Sequence, residues 1–220
     1  MKQTVRLMLV GASGEVGRAV LAQALADRRV AEVVALTRRP LPAATKLNTV
    51  LVDFDRLPED AEWWAVDAVV CTLGTTLRKA GSREAFTAVD RDLPLRIAQL
   101  ARAAGATRFG LNSSLGADSR SGNFYLRTKG EAEEAIGQLG YPGYVILRPS
   151  LIDADRTESR PGERLGLAFA RGLAPLIPRR WRAVTPDAIA RALLDGVLAV
   201  SPVSRVVESE ALHSKGAETD

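Results

Sequence analysis

Residues 4–17 read TVRLMLVGASGEVG, an apolar run that breaks at three glycines, Gly11, Gly14 and Gly17, and passes into a helical pattern. Thr4–Val10 is short, apolar and partly β-branched, as expected of a strand buried on both faces. Glu15–Asp27 then keeps Val16, Val20, Leu21, Ala24 and Leu25 on one stripe at three-and-four spacing. Strand, glycine turn and helix in this order open a βαβ unit. The turn must reverse at Gly11, admit a pyrophosphate near Gly14 and press helix onto strand at Gly17, while the helix amino terminus offers free N–H groups. Gly11, Ser13, Gly14, Glu15, Val16 and Gly17 are therefore candidate nucleotide-binding residues. The competing explanation is a turn that needs glycine for purely structural reasons.

Outward from this stretch the alternation continues. Strands are expected at Glu32–Thr37, Thr49–Val52, Ala68–Thr72, Arg108–Asn112 and Tyr144–Arg148, and helices at Arg83–Ala104, Asn123–Leu139 and Pro186–Val200. The long second helix presents Phe86, Val89, Leu93, Ile97 and Leu100 as its inner face, and Pro94 within it predicts a kink or a restart. Thr185, Pro186 and Asp187 form a cap, a first-position proline and a first-turn acid for the last helix. The fold class is α/β, a three-layer doubly wound arrangement around a central parallel sheet. At 220 residues it fits one domain, 1–220, in which residues 151–182, broken by Pro161, Pro175 and Pro178, form a small covering segment. The tail after Lys215 is expected to be loose.

Composition removes several enzyme classes. The chain has one cysteine, Cys71, and one histidine, His213, so a disulfide framework and a zinc site of several His and Cys ligands are excluded. A triad hydrolase would have to take its base from His213, seven residues from the end of the chain. No metal is expected, although a site made of carboxylates alone stays formally open. The first apolar run is too short for a signal peptide or a membrane span, which gives a cytoplasmic protein with no membrane partner as the expectation. Formal net charge is +4, yet aromatics are only 5% and no lysine-rich tail stands out, so nucleic acid is not an expected partner.

The end of the second strand, VVALT, runs into Arg38 and Arg39. At this distance from the glycines, an acid would hold a ribose 2′-hydroxyl and an arginine a 2′-phosphate. Two guanidinium groups and no competing carboxylate point to NADP(H), the alternative being a solvated arginine pair. After the third strand, Asp53 could accept from the adenine amino group or simply cap a loop. After the fourth, Leu73, Gly74 and Thr75 would let backbone lie against the cofactor. Cys71 before them reads as a small buried residue rather than a reactive thiol.

Tyr125 and Lys129 are spaced four apart at the start of the third helix, which places them on one face. A phenol with a pKa near ~10 is a poor base at neutral pH, and a neighbouring ammonium favours its phenolate. The lysine could also hold the nicotinamide ribose. Ser113 and Ser114 end the fifth strand, where a hydroxyl can bind a substrate carbonyl.

These features converge on a resemblance carried by GASGEVGR, CTLGTTLRKAG, AVDRDLPLRIA, NSSLGADSRSGNFYLRTKGEAE, ILRPSLI and ESRPGER, spanning about Val5 to Val200. The chain resembles the atypical short-chain dehydrogenase/reductase superfamily, whose glycine spacing it shares, and its small Tat-interacting-protein-like and epimerase/dehydratase-like single-domain members. The resemblance implies a Rossmann fold, NADPH binding, Tyr125 as proton donor and acceptor, and Lys129 as its electrostatic partner and ribose anchor. It implies Ser113 or Ser114 as carbonyl polariser. The superfamily's Asn-x-Ser-Ser pattern favours Ser114, whereas the spacing to Gly116 aligns Ser113. Pro149, Ser150, Leu151 and Ile152 would contact the nicotinamide amide, and a homodimer through the long helices is frequent in the superfamily. One position departs: Asp90 stands where typical members carry a catalytic asparagine, which puts turnover in doubt.

The implied activity is NADPH-dependent reduction of a small carbonyl compound. An NADPH-responsive regulatory protein and a sugar-nucleotide epimerase are the alternatives. Between Arg156 and Arg182, seven arginines face two glutamates, an excess larger than the net charge of the whole chain. Arg160 and Arg164 are accordingly candidate contacts for an anionic substrate, against the plainer reading of solvated arginines.

Overall fold

The computed structural model describes residues 4–153 and 178–213. Seven parallel strands form one sheet: β1 (Val5–Val10), β2 (Val30–Thr37), β3 (Leu47–Leu51), β4 (Ala68–Cys71), β5 (Arg108–Asn112), β6 (Gly143–Arg148) and β7 (Arg205–Glu208). Their order is β3-β2-β1-β4-β5-β6-β7, so the chain runs outward from β1 in one direction and then in the other. The carboxyl ends of all strands lie on one side, and the reversal of order falls between β1 and β4, where open α/β sheets bind ligands.

Alternation along the strands feeds two cores. Leu7, Leu9, Val33, Ala35 and Val70 face the helices α1 (Glu15–Ala26) and α6 (Pro186–Val197), meeting Val20, Ala24, Ile189 and Leu193. Met8, Val10, Val34, Val69 and Phe109 face the other side, against Ile97 and Ala101 of α4 (Leu93–Ala103) and Ile136 of α5 (Phe124–Gly137). Asn123 caps α5 by accepting from Leu126 N at 3.2 Å, and Thr185 caps α6 by accepting from Ala188 N at 3.2 Å.

Two expectations are corrected. β7 was not foreseen: it is a four-residue edge strand whose first two residues are exposed, so it lacks a buried apolar signature. The helix expected over residues 83–104 is three pieces, α3 (Arg83–Thr87), a widened π turn at Ala88–Asp92, and α4; a short α2 (Leu77–Ala80) precedes them. Pro94 has no N–H for the carbonyl four residues earlier, that of Asp90, and the widened turn absorbs the defect ahead of the proline rather than at it. Asp90, four residues after buried Phe86, is buried where Val89 was expected, and Val89 is only half-buried.

Candidate functional site

The glycine turn is built by close approach of backbones. Gly11 has φ of +91°, and a Cβ there would lie 2.6 Å from Thr72 Oγ1 and 2.9 Å from the Thr72 carbonyl carbon. Thr72 donates from both N (2.9 Å) and Oγ1 (3.0 Å) to Val10 O, which ties the loop after β4 to the turn. A Cβ on Gly17 would fall 2.0 Å from Gly11 O, so α1 seats directly on the turn. At Gly14 the nearest atom to such a carbon is Gly11 O at 3.4 Å, which leaves the backbone open on its outer side. Gly14 is also the amino cap of α1 and contributes no side-chain bond to the first amides. Gly11 and Gly17, which no larger residue could replace, and an open Gly14 beside an amino terminus with free amides fit a dinucleotide pyrophosphate. Arg18 braces the turn from outside, donating to Ser13 O at 2.9 Å and pairing with Glu15 at 2.6 Å.

Arg38 and Arg39 leave the carboxyl end of β2 exposed, with no carboxylate partner among the described residues. The Thr37 hydroxyl donates to Arg39 O at 2.9 Å and accepts from Arg39 N at 3.3 Å, fixing the bend that carries them. Asp53 accepts from Asp55 N at 3.1 Å, which is the loop-capping arrangement.

Tyr125 is half-buried, its ring 5.4 Å from that of Phe86 on α3. One helical turn on, Lys129 Nζ lies 2.7 Å from Asp90 Oδ1. The pairs 86/125 and 90/129 keep the same four-residue step, so the Tyr125–Lys129 face looks onto α3 and the π turn. Lys129 was expected to spend its charge on the phenol; Asp90 stands against that same charge. The other carboxylate oxygen accepts from Thr75 N at 2.9 Å. Cys71 is fully buried beneath this loop, and burial pushes its thiol up to about 11, so it is held as the neutral thiol.

Ser113 and Ser114 diverge. Ser113 is buried and donates to Glu133 Oε1 on α5. Glu133 in turn takes Arg148 Nε at 3.0 Å and Nη2 at 2.6 Å, and Arg148 Nη1 donates to Glu208 of β7 at 2.9 Å. These carboxylates hold the Arg148 guanidinium firmly protonated. Ser114 is half-exposed, and its hydroxyl has no partner among the described residues. Glu133 and Arg148 escaped sequence reading, though a glutamate one turn beyond Lys129 on the inner helix face was a usable signal.

Pro149 is buried, while Leu151 and Ile152 are exposed. This segment is strapped down: Ser150 N donates to Ser209 Oγ at 3.1 Å, Ser150 Oγ donates to Arg182 O, and Val184 N donates to Leu151 O at 2.8 Å. Arg160, Arg164 and most of the expected covering segment lie outside the described residues. Among the described residues, no helix is long and apolar enough to cross a membrane, and no group of three His, Cys, Asp or Glu could hold a metal ion.

Comparison with known proteins agrees with this architecture. The model of the NAD(P)H-binding family matches residues 11–171. Protein HTATIP2 of Rattus norvegicus is 37% identical over 229 residues, covering 99% of this chain and 92% of the relative. Protein fmp52, mitochondrial, of Emericella nidulans is 37% identical over 179 residues, covering 75% of this chain and 74% of the relative. Among solved structures, MoeE5 in complex with UDP-glucose and NAD superposes with a TM-score of 0.68 at 16% identity, covering 92% of this chain and 76% of its own. A short-chain dehydrogenase/reductase superfamily protein from Agrobacterium tumefaciens with bound NAD gives 0.64 at 20% identity, covering 92% and 77%. The chain belongs to the NAD(P)H-binding family of Rossmann-fold proteins. Within it, the chain is an atypical short-chain dehydrogenase/reductase-like protein similar to HTATIP2.

Proposed function

We propose that this protein is an NADP(H)-dependent reductase of a small carbonyl compound. The observation that carries the reading is the placement of Tyr125 and Lys129 on one face of α5, with the Lys129 ammonium beside the backbone at Gly74. Bound NADPH would supply the hydride. Tyr125 then gives its hydroxyl proton to the carbonyl oxygen, and Lys129 would hold the ribose through its ammonium protons. Arg38 and Arg39 fork onto the 2′-phosphate, and the α1 amino terminus takes the pyrophosphate. Ser114 polarises the carbonyl: Ser113 spends its only proton on Glu133, and a hydroxyl that has given its proton away cannot donate to a substrate.

Tyr125→Phe tests the mechanism. NADPH affinity should stay within about twofold while turnover on a carbonyl panel falls by at least ~100-fold; undiminished turnover rejects Tyr125 as the proton donor.

A second reading, an NADPH-responsive regulatory protein with little turnover, draws on the Asp90–Lys129 pair, which offsets the positive charge beside the phenol. Tight NADPH binding without oxidation on any carbonyl substrate favours it. The reductase reading also includes a homodimer, an anionic substrate and a cytoplasmic location. Light scattering checks the dimer, and cell fractionation checks the compartment against the mitochondrial names of the fungal relatives.

A further inference from the structure

Pro94 withholds an N–H from the Asp90 carbonyl, and Asp90 lies buried in the π turn ahead of it, four residues after buried Phe86. Its carboxylate has no exposed surface and the Lys129 side chain is 8% exposed. One oxygen takes the Thr75 amide at 2.9 Å, and the other lies 2.7 Å from the Lys129 ammonium. A Cβ built on Gly74 would come within 3.5 Å of Asp90 Oδ1 and 3.7 Å of Lys129 Nζ, so the ion pair stands directly behind the backbone at Gly74.

Packing does not explain this arrangement. A buried ion pair is rarely more stabilising than an apolar pair of the same volume, because both charges lose their hydration. What it adds is direction. A lysine side chain carries four rotatable bonds, and its ammonium must be held if it is to meet a ligand at one place. Asp90 holds the ammonium by charge through one oxygen, at ion-pair distance, and the loop backbone by a hydrogen bond through the other, and the ammonium keeps protons for hydroxyl groups.

We infer that Asp90 is a positioning residue for the cofactor ribose: one carboxylate locks Lys129 and the 74–75 backbone together as a single preformed binding edge. The inference rests on the reading of Lys129 as ribose anchor. An asparagine at position 90 does not reproduce the edge. Its carbonyl oxygen can take the Thr75 amide, but its NH₂ then faces the ammonium, donor against donor.

The test uses the full-length protein and four forms: wild type, Asp90→Asn, Lys129→Met and the double variant. NADPH dissociation constants come from fluorescence titration. Asp90→Asn should weaken binding ~10-fold when Lys129 is present and less than about twofold when it is methionine, because residues that act through one another are not additive. Equal weakening in both backgrounds overturns the inference. Undiminished binding by Lys129→Met overturns the ribose-anchor reading itself, and the inference with it; that single variant tells the two failures apart.

Amide hydrogen exchange without cofactor supplies an independent readout. The Thr75 amide should stay protected in Asp90→Asn, which keeps an acceptor, and lose at least ~10-fold protection in Asp90→Ala, which does not. Unchanged protection in Asp90→Ala also overturns the inference.

Discussion

Arg148 holds Glu133 through two nitrogens, at 3.0 and 2.6 Å, while the same carboxylate receives the Ser113 hydroxyl. The end of β5, the middle of α5 and the end of β6 are thereby pinned to one buried acid. Removing that acid leaves a guanidinium and a hydroxyl short of an acceptor. Glu133→Ala should cost ~3 kcal/mol in urea unfolding, near the lower end for breaking a buried pair because Arg148 keeps some solvent contact. Ser113→Ala should cost about 1 kcal/mol. Losses below ~0.5 kcal/mol for Glu133→Ala would show that the network does not support the fold.

The two serines should separate by readout. Ser114→Ala is expected to lower kcat/KM on a carbonyl substrate by at least ~10-fold with the unfolding midpoint unchanged. Ser113→Ala should lower the midpoint more than the rate. The reverse pattern would return the polarising role to Ser113.

The glycine turn makes a contrast within three residues. Gly17→Ala places a methyl 2.0 Å from the Gly11 carbonyl oxygen and must push α1 away, at ~2 kcal/mol or more, with loss of NADPH binding. Gly14→Ala meets nothing closer than 3.4 Å and should fold normally. Its effect should appear in cofactor titrations alone, and a large drop in its melting temperature would contradict the open geometry at Gly14.

Arg38→Ala combined with Arg39→Ala should weaken NADPH binding ~10–100-fold and leave NADH binding within about twofold, since only NADPH carries the 2′-phosphate. Parallel loss for both nucleotides would mean that the arginines do not select the cofactor.

Cys71 gives the fold an alkaline limit. Its thiol ionises near 9 in an exposed chain and near about 11 when buried here. Below pH 9 both states keep the proton and the thiol's contribution is fully present. Between 9 and 11 the unfolded thiol ionises first, and stability falls by ~1.4 kcal/mol for each pH step. Cys71→Ala loses this dependence, so the gap in melting temperature between wild type and variant should narrow from pH 8 to pH 11. A constant gap would refute the burial effect. At pH 8, with only about one buried thiol in a thousand ionised, Ellman's reagent should label the native protein slowly.

The sheet was readable because its central strands are continuous apolar runs and its first turn needs glycine for steric reasons at Gly11 and Gly17. β7 was not, because Arg205 and Val206 are exposed on an edge and carry no buried pattern. At the site, Tyr125 and Lys129 could be paired from helical spacing. The aim of Asp90 could not, since a carboxylate beside Val89 is ordinarily assigned to solvent, and only its burial against Lys129 and the Thr75 amide shows otherwise. Glu133 and Arg148 stayed hidden because charged residues are ordinarily assigned to the surface, and only their mutual burial shows otherwise.

The thread from Ser113 through Glu133 and Arg148 ends at Glu208, and Ser150 is likewise tethered to Ser209. This gives the molecule an order of completion. A nascent chain that has emerged only as far as Val200 already owns the glycine turn, the tyrosine and the lysine, but not the last acid that braces Arg148. The brace on Arg148 is thus finished only once β7 has docked, and a clipped or stalled polypeptide would carry the recognisable motif without it.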